Sequence, residues 1–165
     1  MHIENSIQSK TIVIHPFAKS LRNGKRNPKN YPFWQDLISI IKTTYPEYNI
    51  IQIGIEGELQ LVEDFRKNLT MNELEKIVVE CTTWIGIDSF FQHMAWLRKK
   101  NGIVIFGKSD PLIFGHKENI NILKDRKYLR EHQFWWWEQT EFNEDDFVKP
   151  QVILDALSEI LNQVK

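Results

Sequence analysis

Residues 84–93 read WIGIDSFFQH and are the most informative stretch of the chain. Its first four residues are apolar or small, as expected of a short buried strand, and an Asp-Ser pair follows. Asp and Ser favour helix N-termini, so we expect a helix to begin here and to carry His93 in its second turn. A strand that runs directly into a helix brings free backbone N–H groups and a positive dipole end to one place. This arrangement suits a phosphate group.

Strand-like apolar segments alternate with segments of helical spacing along the rest of the chain. Further strands are predicted over residues 11–15, 49–54, 102–107 and 120–123. Helices are predicted from Tyr31-Pro32 to about 41, near 58–67, from the capping box Thr70-x-x-Glu73 to about 81, from 89 to about 99, and over 150–164. This alternation predicts an α/β fold: a single Rossmann-like domain with a mainly parallel sheet covered on both faces. Ligands of such sheets bind beyond the carboxyl ends of the strands, at the point where the strand order reverses.

Length, charge and cysteine content limit the class of protein. The chain has 165 residues, with 21 Lys plus Arg against 22 Asp plus Glu, so its overall charge does not indicate a nucleic-acid-binding protein. One cysteine, Cys81, excludes a disulfide framework and is typical of a reducing compartment. The N-terminus lacks the pattern of a signal peptide, and no apolar run approaches the roughly 20 residues of a membrane span. We therefore expect a cytoplasmic protein, with an N-terminal extension over residues 1–10 and one domain over residues 11–165.

A basic segment follows the first predicted strand. It contains Lys19, Arg22, Lys25, Arg26 and Lys29 and no acidic residue. Because the segment leaves the carboxyl end of a strand, these cations are expected at the same crevice as the Asp-Ser turn. They would neutralise a diphosphate or, alternatively, the backbone of a nucleic acid. An ordinary solvated loop is the competing interpretation.

Other segments carry weaker indications. Glu56 and Glu58 follow the second strand, where an acid accepts hydrogen bonds from ribose hydroxyls, although glutamates also favour the first turn of a helix. The turn at 107–111 closes another strand and is explained equally well as a turn alone. The FWWW run at 134–137 cannot face inward as a whole, so some of its rings are expected at an interface or against a ligand. The remaining histidines have no metal-ligand spacing, and no metal site is predicted.

From His15 to the final helix, the order of these segments resembles the C-terminal half of the heptosyltransferase family, glycosyltransferase family nine. His15-Pro16 and Lys29-x-Tyr31-Pro32 are similar to the family's polar loop and its Lys-x-Trp-Pro ending. Leu69-Thr70 with Glu73-Leu74 resembles the Leu-Thr and Leu-x-Glu-Leu start of a family helix. Residues 86–95, GIDSFFQHMA, are similar to its Asp-Thr/Ser-Gly-x-x-His-Leu-Ala signature, and residues 106–111, FGKSDP, resemble its Phe-Gly-Pro-Thr-Asp-Pro.

The resemblance implies the nucleotide-sugar-binding domain of a GT-B glycosyltransferase. Such a protein binds a nucleotide-diphosphate sugar and transfers, or helps to transfer, the sugar to an acceptor. One departure is Phe90, which stands where the family has glycine. The implied catalytic residues are His93, Lys29 and Asp88, and the implied donor-binding residues are Lys19, Ser20, Lys25, Glu58, Ser89, Phe90, Ser109 and Asp110.

The expected mechanism uses no metal and no cofactor besides the donor substrate. Lys29, the neighbouring cations, His93 and the helix N-terminus would stabilise charge on the leaving diphosphate. His15 and Asp110 are the nearest candidates for the general base. The family's acceptor-binding domain has no counterpart here, so a separate chain or a second copy in a homo-oligomer would supply that side.

Two other functions stay open at this stage. One is a non-catalytic module that binds nucleotide sugars. The other is a small DNA-modifying glycosyltransferase whose basic loop binds nucleic acid, a partner that the balanced charge disfavours.

Overall fold

The computed structural model describes residues 10–164, and six parallel strands form one sheet within this range. The sheet has the order β3-β2-β1-β4-β5-β6. This confirms the predicted α/β domain with a parallel sheet. The predicted N-terminal extension lies outside the described residues except for Lys10, as does Lys165. The strands are β1 (Thr11–His15), β2 (Asn49–Gly54), β3 (Asp64–Lys67), β4 (Thr83–Ile87), β5 (Ile103–Phe106) and β6 (Ile120–Leu123).

Helices cover both faces of the sheet. Tyr31 and Phe147 are buried with α1 and α5 on one face, and Trp84 and Phe91 are buried with α2 and α3 on the other. The apolar strands are buried on both sides, as parallel strands in such folds require. No helix within residues 10–164 is long and apolar enough to cross a lipid bilayer. The helices are α1 (Trp34–Thr44), α2 (Met71–Glu80), α3 (Phe90–Leu97), α4 (Pro111–Phe114) and α5 (Pro150–Gln163).

The prediction of a helix near residues 58–67 is wrong, because this segment ends in the edge strand β3. β3 reads DFRK and pairs in parallel with β2, from Ile51 opposite Asp64 to Gly54 opposite Lys67. The buried side chain of Gln52 holds the preceding segment extended: its Nε2 donates to the Leu59 carbonyl oxygen at 2.8 Å and its Oε1 accepts from the Leu61 N–H at 2.7 Å. Pairing with β2 therefore overrides a local sequence that has no apolar strand signal.

The strand order reverses between β1 and β4 at the centre of the sheet. The two strands pair in parallel, with His15 opposite Gly86, so their carboxyl ends lie side by side. β1 continues towards α1 and β2, whereas β4 continues towards α3 and β5 on the other side. A crevice therefore opens between the two connections, as expected of doubly wound sheets.

Strand β5 lies between two glycines that are packed against aromatic rings. Gly102 precedes the strand and contacts the indole of Trp84. Gly107 follows it, and a Cβ there would lie 2.6 Å from Cζ of Phe147. The two rings belong to the cores on opposite faces of the sheet. Neither position has room for a side chain.

Candidate functional site

A cavity of about 690 Å³ lies at the carboxyl ends of β1, β2 and β4. Among the residues proposed from the sequence, Lys19, Lys29, Glu58, Asp88, Ser89 and Phe90 line it. Ser20, Lys25, His93, Ser109 and Asp110 lie outside the lining formed by the described residues. Another cavity, of about 540 Å³, lies at the amino ends of the strands, on the opposite edge of the sheet. Only the first cavity coincides with the reversal point where doubly wound sheets bind ligands.

Lys29 and Asp88 form an ion pair at the wall of the cavity. Lys29 Nζ lies 2.9 Å from Asp88 Oδ2, and the Asp88 carboxylate is 4% exposed. The other oxygen, Oδ1, accepts a hydrogen bond from Gln92 Nε2 at 2.8 Å. Lys29 Nζ also lies 4.6 Å from the centroid of the Trp137 ring, close enough for a cation–π contact. The lysine is therefore fixed in place, with its charge balanced by Asp88.

The N-terminus of α3 opens onto the same cavity. Ser89 occupies the N-cap position, and its hydroxyl lies 3.2 Å from Nδ1 of His15 instead of capping the first turn. The first backbone N–H groups of a helix lack intrahelical partners and carry partial positive charge. The ring of Phe90 is half exposed at the cavity and meets the His15 ring edge to face at 5.6 Å. This region offers N–H donors and one aromatic ring to a ligand.

Both candidate general bases are engaged in other contacts. His15 is buried, stacks on Phe91 with ring centroids 5.0 Å apart, and has its pKa lowered to about 4 by burial. Asp110 accepts two hydrogen bonds from the Arg126 guanidinium, at 3.0 and 2.8 Å, and one from the Leu112 N–H at 2.9 Å. The Arg126 hydrogen bonds lower the pKa of Asp110. Both the lowered pKa of His15 and the Arg126 hydrogen bonds of Asp110 disfavour the protonated form that a general base must reach.

His93 has a partner that the sequence did not indicate. Its Nδ1 lies 2.8 Å from Nε2 of His116, which follows α4. His116 stacks on Trp96, with ring centroids 4.4 Å apart and planes 8° apart. Burial lowers the pKa of His93, and the neighbouring His116 lowers it further. The two histidines are 23 residues apart, a separation that corresponds to no local motif.

Glu58 is the acid at the cavity, and Glu56 is at the surface. Oε2 of Glu58 accepts a hydrogen bond from the Ile55 N–H at 3.1 Å, and burial raises the pKa of this carboxyl group. Glu56 pairs with Lys67 at 3.3 Å, with its side chain 73% exposed. Asn68, which the sequence did not indicate, lines the cavity beside Glu58 and adopts a left-handed backbone conformation (φ +52°).

The aromatic run is divided between solvent and the cavity. Phe134, Trp135 and Trp136 are more than half exposed, whereas Trp137 lines the cavity. Arg130 holds this turn: its guanidinium donates to the carbonyl oxygens of Trp135 and Trp136 and lies 4.4 Å from the centroid of the Trp137 ring. The expectation that some of these rings face a ligand remains a prediction, with Trp137 as the ring in that position.

Comparisons with known proteins identify the fold. No protein-family model matches the chain, and no curated protein sequence matches it. Solved structures do match. The structure of E. coli ADP-heptose LPS heptosyltransferase II has a TM-score of 0.67 and 14% identity over 96% of this chain and 48% of its own. The iron-containing dodecameric glycosyltransferase TibC of enterotoxigenic E. coli H10407 has a TM-score of 0.70 and 14% identity, covering 94% and 47%. E. coli heptosyltransferase WaaC with ADP has a TM-score of 0.63 and 14% identity, covering 93% and 45%.

One of these structures corrects an expectation. The prediction that no cofactor is involved is wrong, because TibC, a protein of the same fold, contains iron. Residues 10–164 hold no group of three or more His, Cys, Asp or Glu side chains that could bind a metal ion. His93 and His116 supply two such side chains without a third in that range. The described residues therefore do not fit an iron site built from three or more such side chains.

The likeness extends over nearly the whole of this chain and about half of each heptosyltransferase chain. At 14% identity it is a likeness of fold. The likeness confirms the resemblance that was inferred from the sequence motifs. The chain therefore has the fold of one half of a GT-B heptosyltransferase.

Proposed function

We propose that this protein binds a nucleoside-diphosphate sugar in the cavity at the carboxyl ends of β1, β2 and β4 and takes part in transferring the sugar. One observation carries the proposal: the Lys29–Asp88 ion pair adjoins the N-terminus of α3 within that cavity. A fixed cation beside free backbone N–H groups is what a diphosphate requires. Two of the solved neighbours support it, since WaaC was solved with ADP and TibC with ADP-D-beta-D-heptose.

Each group at the cavity has a role in this proposal. Lys29 Nζ and the N–H groups of α3 bind the diphosphate, and Lys19 adds positive charge at the cavity wall. Asp88 orients Lys29, since its two carboxylate oxygens contact Lys29 Nζ and Gln92 Nε2. Glu58 accepts hydrogen bonds from ribose hydroxyls, and Ser89 donates its hydroxyl to a phosphate oxygen.

Groups near the cavity act less directly. Ser20 and Lys25 are exposed on the same basic segment as Lys19, outside the cavity lining, and the charge of Lys25 attracts the donor. Ser109 and Asp110 shape the loop that leads into α4. Asp110 is held there by Arg126 and by Gln133, whose Oε1 accepts from the Asp110 N–H at 2.9 Å. Through Gln133 this loop is joined to the turn that carries Trp137.

Transfer breaks the bond between the anomeric carbon and the diphosphate oxygen. Negative charge then develops on the leaving diphosphate, where Lys29 and the positive end of α3 stabilise it. The acceptor hydroxyl forms the new bond to the anomeric carbon and must lose its proton to a base. Because His15 and Asp110 are engaged, we assign this base to an acceptor-binding partner chain or to a second copy of this chain.

The contacts of His15 and Asp110 also favour a second candidate function: a module that binds nucleotide sugars without turnover. His15 and Asp110 are the nearest bases by position, and both have lowered pKa values that disfavour the uptake of a proton. A measurement of nucleoside diphosphate released from the sugar donor, with and without a candidate acceptor, separates the candidates. Release that depends on Lys29 supports the transferase. Tight donor binding without release supports the binding module.

Calorimetric titration with ADP, GDP and UDP tests the donor site. We expect Lys29→Met to weaken binding about tenfold or more, because a hydrogen bond to a charged group contributes about 1.5–3 kcal/mol. Lys76→Met, at an exposed position on α2, is the matched control. Lys29→Met/Asp88→Asn removes the buried charge that the single change leaves behind, and circular dichroism checks that each variant folds. If no nucleoside diphosphate or nucleotide sugar raises the melting temperature of the wild type at millimolar concentration, the proposal is wrong.

A further inference from the structure

We propose that His116 is a positioning residue for His93, and that the two imidazoles share one proton so that His93, one helical turn after Ser89 and outside the cavity lining, presents an N–H donor to the part of the diphosphate sugar that extends beyond the cavity. The inference rests on the proposed function for the identity of the ligand. The pairing itself rests on geometry. His93 Nδ1 lies 2.8 Å from His116 Nε2, with the ring planes 81° apart.

His116 is itself held in position from its other side. Its ring stacks on Trp96, which follows His93 on α3 by three residues. The indole Nε1 of Trp96 donates to Oε2 of Glu118 at 3.1 Å. The indole of Trp96 therefore has both the stacked His116 ring and the Glu118 carboxylate as partners. As a result, α3 fixes both members of the histidine pair.

A nitrogen–nitrogen distance of 2.8 Å requires one hydrogen between the two atoms. Two bare nitrogens would repel each other at this distance, and two N–H groups would clash. In the neutral pair, two arrangements satisfy this condition. If His93 donates to His116, its outer nitrogen Nε2 is bare. If His116 donates to His93, the Nε2 of His93 carries a hydrogen.

Adding one proton removes this ambiguity. The pair then carries three N–H hydrogens on four nitrogens, one between the rings and one on each outer nitrogen. His93 therefore presents Nε2–H whichever ring holds the shared hydrogen. A second added proton would place N–H against N–H and break the contact. The singly protonated pair is thus the state that donates to an anion, and the geometry limits it to one positive charge.

The charges that face His93 determine when the pair takes up this proton. Asp88 on one side favours the charged imidazole, whereas Lys29 and His116 oppose it. Glu118 is close to the pair because it accepts a hydrogen bond from Trp96, on which His116 stacks. Without ligand, burial, His116 and Lys29 keep the pKa of His93 below its usual value, despite the opposite effect of Asp88. A bound diphosphate adds negative charge beside Lys29, so the ligand raises this pKa and binding takes up a proton.

The experiment measures ADP affinity between pH 5.5 and 8 for the wild type, His116→Phe and His116→Gln. His116→Phe keeps a ring to stack on Trp96 but has no nitrogen, and His116→Gln restores an N–H donor without a second titrating group. His132→Phe is the control at an exposed histidine. The phosphate of ADP titrates in every sample, so its contribution cancels in the differences between variants.

We expect wild-type affinity to rise three- to tenfold per unit of falling pH over part of this range, tenfold being about the limit for one proton taken up. In His116→Phe we expect the pH dependence to shift to higher pH, because His93 then titrates without the opposing charge of His116, and affinity to fall at pH 8, where His93 no longer has a fixed donor orientation. In His116→Gln we expect affinity at pH 8 to equal or exceed that of the wild type, with a smaller rise at lower pH, because the amide N–H opposes protonation of His93 Nδ1. Nitrogen-15 NMR of the imidazoles in the free protein should show one shared hydrogen between His93 and His116.

The outcomes separate the two proposals. ADP binding with the same pH dependence in the wild type and His116→Phe overturns the role of His116 and leaves the donor site standing. Two imidazoles that titrate independently in the NMR spectra also overturn the pairing. If the wild type binds no nucleoside diphosphate at any pH, the donor site fails, and with it the ligand assigned to the pair.

Discussion

Arg130 holds Trp136 in a left-handed backbone conformation. Its Nη2 donates to the carbonyl oxygen of Trp136 at 2.9 Å, and Trp136 has a φ of +67°. Its Nη1 donates to the preceding carbonyl oxygen, that of Trp135, at 3.0 Å. A non-glycine residue in this region costs about 1 kcal/mol, so the turn needs contacts from outside to persist. Arg130 thus determines where the exposed rings lie relative to the cavity.

Arg130→Met should loosen this turn while leaving the sheet intact. It removes both hydrogen bonds to the backbone, and the strained residue is then free to relax. We expect faster amide hydrogen exchange confined to residues 130–140 and a melting temperature close to that of the wild type. Arg22→Met, at an exposed position of the basic segment, is the control. A uniform increase in exchange across the sheet would contradict the local role.

Phe90→Ala should weaken nucleotide binding about fivefold. The ring lines the cavity and is half exposed there, so a bound ligand would cover apolar area that alanine lacks. Calorimetric titration with ADP measures the change. Leu97→Ala, at an exposed position near the other end of α3, is the control and should bind as the wild type does. Tighter binding by Phe90→Ala would mean that the ring obstructs the site where the family has glycine.

His15 should make the protein less stable as the pH falls from about 6.5 to 4. Burial lowers its pKa to about 4 in the folded state, against 6.5 when exposed, so the unfolded chain binds more protons in this window. The stability that the neutral imidazole contributes is complete above pH 6.5 and lost towards pH 4, by about 3 kcal/mol. Urea unfolding of the wild type and His15→Phe across this range measures the difference in slope. Equal slopes in the two proteins would show that His15 titrates normally.

The ion pair between Lys108 and Asp146 should contribute more to the free energy of unfolding than ion pairs at the surface do. Lys108 Nζ lies 3.0 Å from Oδ2 of Asp146, whose side chain is 1% exposed. Lys108→Met leaves a buried carboxylate without its cation, and we expect a loss of about 3 kcal/mol in unfolding free energy. Lys67→Met is the matched control, because its partner Glu56 is exposed, and should cost less than about 0.5 kcal/mol.

Asp146→Asn in the Lys108→Met background tests the cause of that loss. If the uncompensated charge is responsible, the double variant recovers much of the stability of the wild type. If it is as unstable as Lys108→Met alone, the loss comes from packing of the lysine stem instead.

The features predicted correctly from the sequence depend on local patterns. β1 and β4 are apolar runs, and the capping box of Thr70 and Glu73 lies within one helical turn and is present as predicted. Lys29 and Asp88 were expected near each other because parallel strands end at a common edge, and they form an ion pair there. In each case either short-range spacing or the general geometry of parallel sheets carries the information.

The features that the sequence did not indicate depend on contacts between distant segments. β3 is charged and short, and only pairing with β2 makes it a strand. His116 meets His93 because α4 is followed by a loop that returns to α3, which no spacing rule encodes. The engagement of His15 by Ser89 likewise depends on the register of β1 against β4.

The two glycines beside β5 limit how this region can change over evolutionary time. Side chains within the strand can be exchanged for others of similar volume, but its length cannot vary, because a shift of one residue would bring a side chain against Trp84 or Phe147. Insertions and deletions between Gly102 and Gly107 should therefore not be tolerated. The loop that follows β5, with Ser109 and Asp110, consequently keeps a constant distance from the centre of the sheet.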